Sequence, residues 1–325
     1  MKSNSLPQNF TTAYKILRFL KNRPKVDFEG LSNYNFEGSL DYIEIQNIEI
    51  CKNQKINKLF KKLRPYSDYV QVFLHGSYAD DTTTAFSDID DFIIIDLKEL
   101  RKNRILSKVM NILNEIDMEF SRIDSIQHHG HWICSKEELK NYDNSFLPLQ
   151  IIEDSKCVIG DNSIRGYVNT EISEEGLKNN IQNTCKGIKR LSDLYFRNKI
   201  NAYQLKCLVG SFVLMPAFIL QAQGENCTKP EAINRAKKNL SEKSLACIEW
   251  STNCRNNWET ISETQKFKRF SFFSQVFKDP FLWRRYSNKF SPKVSKNQKN
   301  AISNISLKKV SVEKFISESL EFAEY

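Results

Sequence analysis

Apolar residues recur at three- and four-residue steps across residues 41–63, through Ile45, Ile48, Ile56, Leu59, Phe60 and Leu63. That spacing predicts a helix, which Pro65 would stop. Residues 69–74 read as a short strand running into Gly76 and Ser77. Residues 92–95 are a bare apolar run, the pattern of a strand buried on both faces. Helical spacing returns over 97–116, through Leu100, Ile105, Val109, Ile112 and Leu113. Two further strands are expected at 118–125 and 130–134. Strands and helices in this order make residues 41–165 a mixed α-and-β domain. The segment 1–40 offers one helix, near residues 12–20.

After Gly166 the pattern becomes helical throughout. Leu177, Ile181, Ile188, Leu191 and Tyr195 share one face. Residues 203–221 are apolar enough to form a central helix. Pro230 follows Thr228 where a first helical turn tolerates it. Leu245, Ile248 and Trp258 belong to another helix. Residues 166–262 are therefore expected to form a helical bundle, leaving 263–325 as a last segment.

The chain has 325 residues, with 40% hydrophobic and 27% charged, enough to bury a sizeable core. Its longest apolar run, 208–220, contains Pro216 and falls short of the roughly 20 residues of a bilayer span, so no membrane helix is expected. Residues 1–10 are polar, without an apolar signal core, and a cytoplasmic home is expected. Eight cysteines are scattered without a CxxC pair, which speaks against a zinc ribbon or redox motif and for buried small apolar residues. A net charge of +9 suits an anionic partner, nucleotide or nucleic acid. From Lys266 to Lys309 there are twelve Lys or Arg and one acid, Asp279, with aromatics between them. Such interleaving suits single-stranded nucleic acid. The helical spacing of Phe270, Phe273 and Phe277 favours a helix docked on the bundle instead.

The chemistry concentrates in His75 to Asp96, HGSYADDTTTAFSDIDDFIIID. A strand ends in Gly76-Ser77, and Asp88 and Asp90 open a second strand. Side chains at i and i+2 of a strand share a face, about 6.5 Å apart, so the pair can converge on a hard cation. Asp91 would point the other way. Gly76 lets backbone approach a phosphate, and Ser77 is expected to begin a helix whose free N–H groups receive an anion. These parts together would hold a nucleoside triphosphate by its phosphates and magnesium.

Gly-Ser, a spacer of this length and Ser-Asp-x-Asp before apolar residues resemble the signature of the DNA polymerase β-like nucleotidyltransferase superfamily. The helical region behind it resembles the aminoglycoside-type members. Asp80 and Asp81 stand where many members carry Arg-Gly. The resemblance implies an α+β fold: a polymerase-β-like domain with a mixed sheet, followed by an α-helical bundle. It also implies transfer of an NMP, AMP foremost, from an NTP to an acceptor hydroxyl with release of pyrophosphate. Two Mg²⁺ or Mn²⁺ ions would serve that reaction. A third carboxylate is expected from a neighbouring strand: Asp124 by preference, with Glu119 and Asp117 as competitors. The acceptor could be a small hydroxylated molecule, RNA or protein. A degenerate module that binds nucleotide or nucleic acid without chemistry is the alternative.

Three of the four histidines fall in Gln127-His128-His129-Gly130-His131-Trp132, and the fourth, His75, abuts Gly76. His128, His129 and His131 are candidates for acceptor contact or general base. A satisfied turn around Gly130 is the plainer reading.

Overall fold

The computed structural model describes residues 41–127, 129–137, 139, 152–168, 174–225, 227–238, 240–259, 289, 291–294 and 306–322. All of them fall in one compact unit. The helix expected near 12–20, His128 and the aromatic run 267–286 lie outside the described residues.

A four-stranded mixed sheet carries the first domain. Its strands are β2 (Val70–His75), β3 (Asp90–Ile95), β4 (Trp132–Ser135) and β5 (Lys156–Ile159), in the order β4-β3-β2-β5. β2 runs antiparallel to β3 and β5, and β4 runs parallel to β3. After its two aspartates, β3 is aromatic or β-branched, and Phe92, Ile93, Ile94 and Ile95 are covered on both faces. Ile93 and Ile95 pack with Val72, Leu74 and Leu113 on one side. Phe92 and Ile94 pack with Phe73, Cys134 and Cys157 on the other.

Several expected boundaries move. The helix expected over 41–63 is instead strand β1 (Asp41–Ile45), paired antiparallel with β6 (Ile164–Val168), and a short helix α1 (Gln54–Leu59). Asn47 in the left-handed region separates them, and Asn53 caps α1 by accepting from the Lys55 and Ile56 amides. Pro65 lies inside the 3-10 turn Phe60–Tyr66 that follows. The helix expected over 97–116 is two: α2 (Leu97–Lys102) and α3 (Leu106–Ile123), broken where Arg104 takes φ +58°. The strand expected at 118–125 does not exist. Val109, Leu113, Ile116 and Phe120 continue one buried helical face, so α3 runs on to Ile123 and Asp124 caps its end.

The helical region holds α4 (Glu174–Phe196), α5 (Ala202–Ala222), α6 (Lys229–Arg235) and α7 (Glu242–Asn256), but β6 runs through the boundary expected at 166 and Trp258, expected in a helix, lies just past α7. Capping boxes start α5 (Asn201 with Gln204) and α6 (Thr228 with Glu231). By length and composition α5 could cross a membrane, contrary to the expectation from the shorter apolar run. Here it is the central helix, its apolar surface covered by α4, α6 and α7. A final helix, α8 (Lys309–Glu321), packs on α4 and α7 and seats Phe315 against Phe212. All eight cysteines are free thiols and six are buried.

Candidate active site

The β2–β3 pair fixes the geometry. His75, the last residue of β2, faces Asp90, the first of β3. Gly76 then turns the chain at φ +68°, and a Cβ there would stand 3.4 Å from Asp90 Oδ2. This position therefore requires glycine for conformation and keeps the Asp90 carboxylate close to open backbone. The helix expected after Ser77 is only a 3-10 turn, Gly76–Tyr78, because the Ala79 and Asp80 amides both fold back onto the Gly76 carbonyl. Asp81, standing where many superfamily members have glycine, takes φ +54°, so the left-handed turn survives without glycine.

Asp88 sits two residues ahead of β3, not within it. Its loop is held at three points. Ser87 Oγ accepts from the Thr84 amide while the Ser87 amide returns to the Thr84 carbonyl. Phe86 inserts into the core of the helical bundle, edge-on to Trp258. Gln127 clamps Ile89, between the two aspartates: its Oε1 accepts from the Ile89 amide at 3.1 Å and its Nε2 donates to the Ile89 carbonyl at 2.9 Å. The Gln127 side chain is wholly buried. It acts as one rung of sheet pairing at the strand's entrance.

Asp124 reaches the same place from α3. As C-cap it leaves the helix in extended conformation, and its Oδ1 accepts from the Ile126 amide. Its Oδ2 meets the ammonium of Lys206, which also lies 2.6 Å from Asp88 Oδ1. Lys206 comes from the first turns of α5 and is completely buried. Burial would push its pKa down, but Asp88 and then Asp124 outweigh that and hold it raised. Burial lifts the Asp124 carboxyl, Lys206 opposes this and Asp88 adds to it. The competing acids go elsewhere. Glu119 pairs with Arg122 on the exposed face of α3, and Asp117 is buried beside His131.

Asp88 and Asp124 are thus brought together, with Asp90 beside Gly76. Among the described residues no three of His, Cys, Asp and Glu close into one metal-holding group. The expected three-carboxylate cluster is therefore not assembled in this arrangement, since Lys206 already neutralises two of its members. The residues nonetheless fit a divalent ion. Their donors are carboxylate oxygens, and the ammonium between Asp88 and Asp124 marks that spot as one built for positive charge.

The histidines divide. His131 does not line the carboxylate site but is paired with Asp91. Its Nε2 donates to the Leu113 carbonyl at 2.8 Å, so its Nδ1, 2.6 Å from Asp91 Oδ2, donates to that carboxylate only as imidazolium. Burial lowers its pKa, but Asp91, then Asp117 and the Leu113 carbonyl, raise it to about 9. Strand alternation explains the pairing. Asp91 shares the α3-facing side of β3 with Ile93, where His131 stacks near Phe60 and Phe120. His129 is exposed, and its carbonyl accepts from Gln127. His75 is held neutral near pH 7: burial lowers its pKa, and Asp90 only partly restores it.

Sequence reasoning missed Gln127, Lys206 and Phe86. One signal for Lys206 was available: it is the only charged residue in the 21 residues of α5. A lone lysine in an apolar helix needs a buried acid.

Residues 54–209 match the family described as Nucleotidyltransferase domain. That span holds Gly76, Ser77, Asp88, Asp90, Asp124 and Lys206. These residues therefore carry a nucleotidyltransferase domain. Among solved structures it is similar to a spectinomycin adenyltransferase, AAD(9), from Enterococcus faecialis, crystallised with ATP and spectinomycin. The likeness is distant: 13% identity and a TM-score of 0.35, covering 75% of this chain and 98% of that one. No curated protein matches the chain.

Proposed function

We propose that the protein transfers AMP from ATP to the hydroxyl of a small acceptor, releasing pyrophosphate, with Mg²⁺ or Mn²⁺ at Asp88, Asp90 and Asp124. One observation carries this reading. Gly76-Ser77 and Asp88/Asp90 stand at one end of the β2–β3 pair, and α3 delivers a third carboxylate, Asp124, beside Asp88. Gly76 and Ser77 would receive the triphosphate through backbone and hydroxyl donors. Two divalent ions, when bound, would screen the triphosphate charge and favour loss of the acceptor proton. Gln127 keeps the aspartate pair in register through Ile89. His75 adjoins Asp90 as an imidazole that burial keeps neutral near pH 7.

The burial of the carboxylates favours a small acceptor. The Asp88 side chain is 8% exposed and that of Asp124 15%, at a junction closed by the bundle. A folded RNA or protein would need a more open approach. A second reading, nucleotide binding without chemistry, is favoured by Lys206 standing between two of the three carboxylates. Incubation with each labelled NTP, Mg²⁺ or Mn²⁺ and fractionated cell extract separates the two. Metal-dependent pyrophosphate release with label in a small-molecule fraction is expected. Tight NTP binding without release would support the second reading.

A further inference from the structure

Among the described residues, two cations of the helical bundle approach the Asp88 loop, and one of them is paired with carboxylates. Lys206 Nζ lies 5.5 Å from the centre of the Phe86 ring and is paired with both Asp88 and Asp124. Arg255, near the end of α7, places its guanidinium 5.4 Å from the centre of the same ring. It is partly buried. Among the described residues it has no ion pair and no side-chain hydrogen bond, the aromatic ring being its one polar-type contact. A guanidinium offers five donors in a fixed fork that suits phosphate oxygens. Leaving all five unspent in a partly desolvated site is costly unless an anion arrives.

We propose that Arg255 binds the polyphosphate of the donor nucleotide, reaching from the bundle to the loop that carries Asp88. This rests on the nucleotidyl-transfer reading above and adds a contact from outside the matched nucleotidyltransferase span. Three observations converge on it. Phe86 is two residues from Asp88, so a ligand held on Arg255 lies along the carboxylate loop. Trp258, 5.0 Å from the Phe86 ring and three residues after Arg255, fixes the ring that seats the guanidinium. The nearby acid whose charge Arg255 feels, Asp88, already holds Lys206. The unspent cation therefore answers to an incoming anion, and the triphosphate is the anion that this site would receive.

The test is calorimetric titration of a non-hydrolysable ATP analogue and of AMP, both with Mg²⁺, into wild type, Arg255→Met and Arg255→Lys. Circular dichroism confirms that each variant is folded. We expect Arg255→Met to weaken the triphosphate about tenfold or more and AMP by less than about twofold, with Arg255→Lys in between. Equal triphosphate affinity in wild type and Arg255→Met overturns the proposal alone. Equal losses for triphosphate and AMP overturn it too, because they indicate a general disturbance of the site. A folded wild type that binds neither ligand overturns the nucleotidyl-transfer reading itself and this proposal with it.

Discussion

Lys206 Nζ lies 2.6 Å from Asp88 Oδ1, and the same ammonium holds Asp124, so one lysine of the bundle's central helix neutralises two acids of the nucleotidyltransferase domain. The contact spans 118 residues of sequence. It joins the two parts of the molecule at the place where their chemistry would occur.

Lys206→Met should therefore destabilise strongly. The side chain keeps its apolar length, but two buried carboxylates lose their shared counter-charge. Breaking a buried pair typically costs ~3–5 kcal/mol. Thermal unfolding should show the loss, and added Mn²⁺ should recover more of it in the variant than it adds to wild type. An unchanged melting temperature without metal would show that the ion pair contributes nothing.

Gln127→Glu changes one atom and removes one hydrogen bond. Whichever way the new carboxylate turns, an oxygen replaces the donor that now meets the Ile89 carbonyl at 2.9 Å. A buried charge facing a carbonyl displaces the Ile89 backbone and the two aspartates flanking it. Turnover should fall by roughly two orders of magnitude, in line with a misplacement of about an ångström at a reacting centre. Gln127→Met, neutral and similar in size, should lose less. If Gln127→Glu turns over normally, the clamp does not position the site.

Much of this was legible in the chain. The Gly-Ser turn, the two aspartates and the buried strand after them are local features, and local spacing reads them well. The failures were boundaries and long-range partners. Residues 118–125 looked like a strand because Met118, Phe120 and Ile123 suit either structure. The helical face running from Val109 to Phe120 decided the matter, and it also turned Asp124 from a strand residue into a helix cap. The histidine cluster drew attention for its composition, yet the residue of that run that holds the backbone between Asp88 and Asp90 is Gln127, through Ile89. Which side chain crosses from α5 to Asp88 depends on how the bundle docks, and periodicity holds no record of that.

His131 should impose a pH dependence on stability. Its folded pKa, raised to about 9, lies above the ordinary value of 6.5 that it regains on unfolding. The folded state therefore binds the proton more tightly. The stabilisation is fully present below about pH 6.5 and is lost as pH rises through about 9, a shift worth about 3 kcal/mol. Its surroundings are Asp91, Asp117, the Leu113 carbonyl and the Phe60 and Phe120 rings. Urea unfolding of wild type between pH 6 and 10 should show this decline. His131→Phe should be less stable at pH 6 and nearly flat across the window. A wild type as flat as the variant would show that the imidazole is neutral in the fold.

Asp88→Asn and Asp90→Asn should both abolish transfer, and stability should tell them apart. Each removes a carboxylate proposed to hold the divalent ion, so pyrophosphate release should fall by several orders of magnitude in either variant. Asp88 is also a partner of buried Lys206. Its loss leaves Asp124 as the remaining carboxylate on that ammonium, and a charge-assisted bond of this kind contributes roughly 1.5–3 kcal/mol. Asp90 makes no contact with Lys206; its carboxylate lies beside Gly76, and its charge is felt by His75. Neutralising it should leave melting temperature nearly unchanged. Activity is to be measured with Mg²⁺ and melting without it, so that the ion does not mask the difference. Near-normal turnover in either variant would remove that aspartate from the reaction. Equal melting temperatures for the two would mean that Lys206 is held by Asp124 alone.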